Sequence, residues 1–326
     1  MASKLSLDSR LTLFPIKDDE AWAVYKKMRA ADWTAEELDM SEDFRDYIAL
    51  KPAEQKLITN VLAFFAASDT IINANICCNF ATEIPGLEIG CVYAMQQLIE
   101  CVHSETYSLQ IETLIQKKEQ RQALFDSVRN SSTIRAKAAF AFKYMNIDIP
   151  LHVRLFAFTL AEGLHFQSSF ATIAYFRTKN KLQGVTKANE FISRDEGMHC
   201  QFSAMLFKRE QKKLAEHKQM TQELAEQIIK EAVSLEGKFV AEVLSEAILG
   251  LNAGTMMEFV KCVADRMLDL TGFKTLYNVQ NPLSWMELSG LSNKTNFFEQ
   301  RVSEYQRSGV GQTQEEIHEF SLDCEF

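Results

Sequence analysis

Two short patterns of one kind stand far apart in this chain: Glu100-x-x-His103 and Glu196-x-x-His199. The spacing puts each carboxylate and imidazole on one helical face, a turn apart. A lone carboxylate precedes each pattern, Asp69 before the first and Glu162 before the second. Four carboxylates and two imidazoles thus fall into two matching halves. A four-helix bundle that offers a carboxylate from two helices and Glu-x-x-His from the other two has the ligand set of a di-iron or di-manganese carboxylate site. One Glu-x-x-His would be a weak signal; its duplication with the two lone carboxylates is a strong one. Hard oxygens with two imidazoles suit iron, or less readily manganese, with positions open for oxygen, and no thiolate in the set argues for zinc. All four carboxylates lie in strongly apolar segments, where burial is costly without a partner. A buried ion pair is the plain alternative, but Lys and Arg are sparse nearby.

Tyr107 follows His103 by four positions and shares the face of Glu100 and His103. Phe166 and Phe170 follow Glu162 at helical spacing, and Ile192 precedes Glu196 by four. These three would form a dry wall around the phenol. Without metals nearby, Tyr107 would be read as a core tyrosine; beside an oxygen-activating pair it is an oxidisable group in an apolar cage. Asp195 adjoins Glu196 and could orient a metal-bound histidine, a capping role being the alternative. Trp33 on its own reads as a packing anchor. His152, His165, His217 and His318 lack the pattern and read as surface or satisfied histidines.

The elements that must position these groups are helices. Residues 1–16 read as an extended arm, and a first helix spans Asp18 to Ala31 with acids at its start. Pro52 opens a long helix that carries Val61-Leu-Ala-Phe-Phe-Ala-Ala67 directly before Asp69. A second long helix, 87–117, holds Glu100, His103 and Tyr107. A shorter pair covers 118–146. Pro150 begins a third long helix that runs through Phe176 with Glu162 at its middle. A fourth, 187–213, carries Glu196 and His199, and two amphipathic helices, 220–250 and 254–271, brace the bundle. No alternating strand pattern appears. The expected class is all-α, a ferritin-like bundle over 17–298 with an arm at 1–16 and a flexible C-terminal tail at 299–326.

Composition agrees and excludes several classes. Only 12 Gly and 5 Pro occur, which suits helices, and 23 Phe can fill wide interhelical spaces. The net charge of −9 with no basic block excludes nucleic acid as a natural partner. No signal pattern and no apolar run of membrane-spanning length are evident, so neither a membrane nor an exported form is expected. Seven cysteines without Cys-x-x-Cys spacing fit small core residues in a reducing cytoplasm. The end of the chain turns polar and acidic and closes on Phe320-Ser-Leu-Asp-Cys-Glu-Phe326. Such a segment cannot bury enough surface to order itself. Its two Phe and one Leu among acids suggest a peptide that orders on a partner, a frayed terminus being the alternative.

These stretches together resemble the small, radical-generating subunit of class I ribonucleotide reductase, from about Phe14 to Phe326. The resemblance rests on Trp33-Thr-Ala-Glu-Glu37, Val61-Leu-Ala-Phe-Phe-Ala-Ala-Ser-Asp69, His103-Ser-Glu-Thr-Tyr107-Ser-Leu109, Ile192-Ser-Arg-Asp-Glu-Gly-Met-His199-Cys200, Lys294-Thr-Asn-Phe-Phe-Glu299 and Arg301-Val-Ser-Glu-Tyr305-Gln-Arg307. The terminal heptapeptide is similar to the eukaryotic and large-DNA-virus branch. The resemblance implies that Asp69, Glu100, His103, Glu162, Glu196 and His199 bind two irons and that Tyr107 carries the radical. It implies that Trp33, Asp195 and His103 form the inner electron path. Tyr305 would relay the radical to a large subunit, on which Phe320, Leu322, Asp323 and Phe326 dock. A homodimer is implied as well. The chain departs from the family pattern at His165 and Gln167, which would alter access or hydrogen bonding near the metals, and within 74–95. No long extension is expected before Phe14-Pro15-Ile16.

Three other functions share parts of this pattern. A ferritin-type ferroxidase would need the bundle but not Tyr107, the Trp33–Asp195 pair or the acidic aromatic end. A di-iron oxygenase would need an open channel where Phe166 and Phe170 suggest a closed wall. A metal-free regulatory relative would not need all six ligands.

Overall fold

The computed structural model describes residues 10–287 apart from 246, 247 and 249. Its described residues are helical, with one isolated bridge between Ile248 and Leu251. Helix α1 (Asp19–Ala30) starts where the Asp18 carboxylate accepts from Ala21 N–H, a cap that satisfies an otherwise orphaned donor. After a 3₁₀ turn at Ala35–Glu37 come α2 (Asp43–Ala49) and α3 (Pro52–Asn75). Pro at the first position of α3 uses its missing N–H where none is needed. The chain runs on through a π-helical turn at Ile76–Phe80 into the single turn α4 (Ala81–Glu83). Next come α5 (Leu87–Leu114), α6 (Lys118–Asn130), α7 (Ser132–Met145), α8 (Leu151–Gly163), α9 (Gln167–Thr178) and α10 (Gln183–Lys212). The last are α11 (Gln222–Val243), α12 (Ala253–Thr271) and the short α13 (Ser284–Glu287).

Two pairs form the bundle's centre: α3 lies against α5 and α8 against α10. Their facing sides and the adjoining α9 supply Phe64, Phe65, Phe156, Phe170, Phe176, Phe202 and Phe207, all essentially without exposure. Each such ring contributes about 1.5–3 kcal/mol by leaving water. Helices α11 and α12 pack on each other and close one side. The start of α10 is fixed from a distance. Asp43 of α2 accepts from Gly184 N–H at 3.0 Å and Val185 N–H at 2.8 Å. A Cβ at Gly184 would stand 2.5 Å from the Asp39 carbonyl, so this approach requires glycine.

Three expectations are corrected. The helix anticipated from Pro150 through Phe176 is two helices, because α8 ends at Gly163 and α9 begins at Gln167. Gly163 sits where a Cβ would fall 2.4 Å from Met267 Sδ and 2.5 Å from Cys200 Sγ, so α8 approaches α10 and α12 too closely for any side chain. The chain then turns at Leu164, whose N–H still reaches back to the Leu160 carbonyl. Second, the stretch Pro52–Glu83 is long and apolar enough to cross a membrane by length and composition. Half of its most apolar window is buried against other helices, and it carries buried Asp69 and Asn75, which marks it as a core helix. Third, the cysteines expected as small core residues are mostly not so placed: of the six described, only Cys200 is buried. The short helix α2, unread in the sequence, provides the cap for α10.

Candidate metal centre

Four helices each bring part of one buried cluster: Asp69 from α3, Glu100 and His103 from α5, Glu162 from α8, and Glu196 and His199 from α10. None of the six is more than 2% exposed. Two groups of ligand atoms each lie within 4.8 Å of one another: Asp69, Glu100 and His103 in one, and Glu100, Glu162, Glu196 and His199 in the other. Glu100 belongs to both. The two sequence halves look equivalent, yet the structure makes one of their carboxylates common property.

The orphaned atoms test whether cations fit here. Asp69 Oδ2, both oxygens of Glu100, His103 Nδ1, Glu162 Oε2, Glu196 Oε2 and both nitrogens of His199 are buried without an aligned hydrogen bond. They approach one another closely: His199 Nδ1 stands 3.1 Å from Glu100 Oε1 and 3.4 Å from Glu196 Oε2, and His103 Nδ1 3.2 Å from Glu196 Oε1. Atoms this close but misaligned are aimed at common points rather than at each other. Buried polar groups are ordinarily paired, and hard oxygens with two imidazoles are the donors of a di-metal carboxylate pair. The donor set therefore fits two cations.

Electrostatics point the same way. Burial, then the neighbouring carboxylates, push Asp69 and Glu162 well above the usual carboxylate range. Burial opposes a charged imidazole, but Glu100 and Glu196 outweigh it and lift His199 to about 9. The cluster therefore favours added positive charge, which bound cations supply.

Around the cluster the structure adds Gln96 and Arg194, which sequence reading missed, to the anticipated Trp33 and Asp195. Gln96 Nε2 donates to Glu162 Oε1 at 3.0 Å, which leaves Oε2 for the cluster. On the other side Asp195 Oδ2 accepts from Trp33 Nε1 at 2.7 Å and lies 3.3 Å from His103 Nε2. With its Nε2 proton directed to Asp195, His103 turns the Nδ1 lone pair inward, a tautomer assigned from this network. The Trp33 ring also stacks on the His103 imidazole, centroids 6.1 Å apart. Arg194 donates to Asp195 Oδ1 through Nε at 3.0 Å and Nη2 at 2.9 Å, and reaches the Ala31 carbonyl. Burial would raise the Asp195 carboxyl, but the Arg194 charge and the bonds from His103 and Trp33 hold it below its usual value.

Tyr107 is buried, and its ring lies parallel to that of Phe65 at 4.8 Å. Phe65 is the cage member that the sequence did not give up, since it comes from α3. Phe170 and Phe166 meet Phe65 at 4.9 and 5.6 Å, and Ile192 is buried on α10. Burial first, then the charges of Asp69 and Glu196, raise the Tyr107 phenol well above its ordinary range. His165 departs from expectation. It is not a surface histidine and is only half satisfied: its ring packs edge-on to Phe140 of α7 and meets the Ala232 backbone, while Nε2 is buried and unpartnered. Gln167 is buried at the start of α9. Tyr305, Phe320, Leu322, Asp323 and Phe326 lie outside the described residues.

The model of the family described as "Ribonucleotide reductase, small chain" matches residues 10–282. A ribonucleoside-diphosphate reductase small chain of vaccinia virus (strain Ankara) is 41% identical over 318 residues, 98% of this chain and 97% of the relative. One from Nicotiana tabacum is 40% identical over 324 residues, with the same coverage. Among solved structures, the ribonucleotide reductase Rnr4 homodimer of Saccharomyces cerevisiae superposes with a TM-score of 0.78 at 31% identity, covering 86% of this chain and 87% of that one. A dimanganese(II) NrdF from Streptococcus sanguinis, 20% identical, shares the fold with a TM-score of 0.77, covering 84% and 96%.

Proposed function

This chain belongs to the ribonucleotide reductase small-chain family, and from that premise we propose that its buried cluster holds two metal ions and that Tyr107 carries the radical. It is the small subunit of a ribonucleoside-diphosphate reductase, an oxidoreductase that makes deoxyribonucleotides together with a large subunit. The observation that carries the site assignment is the convergence of two donor groups on Glu100 with Tyr107 buried on the same helix. We take Asp69, Glu100, His103, Glu162, Glu196 and His199 as the ligands and iron as the metal, with dioxygen as oxidant. Bound there, the metal pair would supply the oxidising power that removes one electron from Tyr107.

The chain's own residues govern how the radical forms, survives and leaves. The raised Tyr107 phenol is protonated at neutral pH, so its hydroxyl proton must leave with the electron. The aromatic wall of Phe65, Phe166 and Phe170, with Ile192, excludes water and reductants from the ring. Asp195, held charged by Arg194, fixes His103 and accepts from Trp33, which supports His103, Asp195 and Trp33 as the inner end of a proton-coupled electron path. We assign Tyr305 as the relay beyond it. Residues 299–326 would be the docking segment, with Phe320, Leu322 and Phe326 filling apolar pockets on the large subunit and Asp323 meeting a base. Residues 17–298 would be the helical domain and 1–16 an arm. We also propose a homodimer, the state of the yeast structure, in the cytoplasm, where the free thiols Cys77, Cys78 and Cys101 would stay reduced.

Reconstitution with Fe(II) and oxygen tests the reading. Tyr107→Phe should keep about two metals per chain and lose the sharp tyrosyl resonance and all turnover. Deleting 320–326 should keep the resonance and lose turnover with the large subunit. An unchanged radical signal in Tyr107→Phe would reassign the oxidised residue.

A further inference from the structure

A cavity of about 410 Å³ opens between α3, α6, α7 and α8. That size lies within the roughly 300–1,000 Å³ of small-molecule sites. Its walls are made by small residues, Ala63, Ala66, Ala138, Ala141 and Ala161, where larger side chains would close the seam between helices. Its floor is apolar and buried, with Phe64, Phe166 and Ile72. The floor's one cation, Lys137, is engaged: Nζ stands 2.7 Å from Glu236 Oε2 and 2.6 Å from the His165 carbonyl, over the rings of Phe64 and Phe239. His165 beside it is neutral, since burial and the Lys137 charge hold its pKa at about 3. The floor therefore has no free charge to offer.

The rim differs. Arg129 and Arg135 line the cavity and are exposed, and their guanidinium groups make no ion pair or hydrogen bond among the described residues. Phe125, over a third exposed, stands with them. An apolar interior with two free guanidinium groups at its edge is complementary to one kind of molecule. We propose that this cavity binds an amphipathic organic carboxylate, with the apolar body among the alanines and the carboxylate on Arg129 and Arg135. Guanidinium forks suit carboxylate oxygens, and the burial of the chain supplies the remaining affinity. Nothing in this inference depends on the metal assignment, because the ligands of that cluster do not line the cavity.

Calorimetric titration of the full-length, metal-loaded protein with octanoate and with 1-octanol tests it. Octanoate should bind saturably, one per chain. Arg129→Ala combined with Arg135→Ala should weaken octanoate at least about tenfold while changing 1-octanol less than about twofold. Ala138→Trp fills the cavity and should abolish binding of both. Ile71→Trp, on a half-exposed wall, is the second plug should the first variant not fold. Non-saturable binding of octanoate, undiminished binding in a folded plugged variant, or equal losses of octanoate and octanol in the double Arg variant would overturn the proposal.

Discussion

Two of the places where the molecule buries ionisable groups handle them in opposite ways. Beside the α8–α9 break, Lys137 and Glu236 neutralise each other, Ser168 donates to Glu236, and the His165 carbonyl takes a Lys137 proton in a hydrogen bond. Burial pushes the Glu236 carboxyl up and the Lys137 ammonium down, and each partner pulls the other back. In the centre, four carboxylates face two imidazoles with most of their inward atoms unaligned. In the first a single ammonium answers a single carboxylate, 2.7 Å away, although Glu236 Oε2 too lacks an aligned hydrogen bond; in the second four carboxylates share two imidazoles, and among the described residues no Lys or Arg contacts them. Burial of charge alone therefore says little about function. Uncancelled charge with convergent orphaned atoms says a great deal.

The comparison breaks most visibly at Glu100. Because it serves both donor groups, Glu100→Ala should drop bound metal from about two per chain to almost none, measured by elemental analysis after gel filtration. Lys137→Met should retain both metals. Metal loss in the Lys137 variant as well would mean that the two regions are not independent.

Stability should show the reverse. Lys137→Met strands a buried carboxylate and should cost about 3–5 kcal/mol, read from urea unfolding. Adding Glu236→Leu should recover most of it, since an apolar pair of similar volume replaces a buried ion pair at little cost. If the double variant is no more stable than the single one, the pair does more than neutralise itself.

Acid gives a smaller test of the same region. An unfolded histidine binds a proton near pH 6.5, whereas folded His165 does so only at about 3. Between those values the unfolded state holds the extra proton, so this residue's contribution to stability is present at neutral pH and falls as pH falls. The loss from pH 7.5 to pH 5 should be about 2 kcal/mol, and His165→Phe should flatten that part of the profile. An equal slope in the variant would place the titration elsewhere. The smallest effect is expected at Gln96. Gln96→Leu frees Glu162 Oε1 and should weaken Mn(II) binding about tenfold in a titration followed by electron paramagnetic resonance, without loss of the fold. Unchanged affinity would show that the Gln96 bond does not orient Glu162.

Much of this architecture is readable from the chain. The spacing of Glu100, His103, Glu196 and His199 puts each pair on one helical face, and the helices carrying them form where that spacing requires. What the sequence conceals depends on contacts between distant segments. Glu100 and Glu196 occupy equal places in the repeat, and only the packing of α5 against the other helices puts Glu100 in both donor groups. Phe65 lies in an apolar run of α3 where either of two adjacent rings, Phe64 or Phe65, could face Tyr107. The break after Gly163 carries no proline to announce it, and the neighbours that require glycine there, Met267 and Cys200, come from distant helices. His165 stands out in the sequence as a departure from the family pattern, but its packing does not, because its neighbour Phe140 comes from another helix.

The hydrogen bond from Trp33 to Asp195 joins residues 162 positions apart. A chain made at about 5–20 residues per second exposes the indole roughly 8–32 s before its carboxylate exists. Glu162, Glu196 and His199 arrive at the same late stage, after Asp69, Glu100 and His103 have long been synthesised. During that interval the first half of the cluster is a set of acids with no complete site to join. The order of synthesis thus leaves the centre incomplete until α10 lays down its three residues Asp195, Glu196 and His199 within a single turn or so of helix.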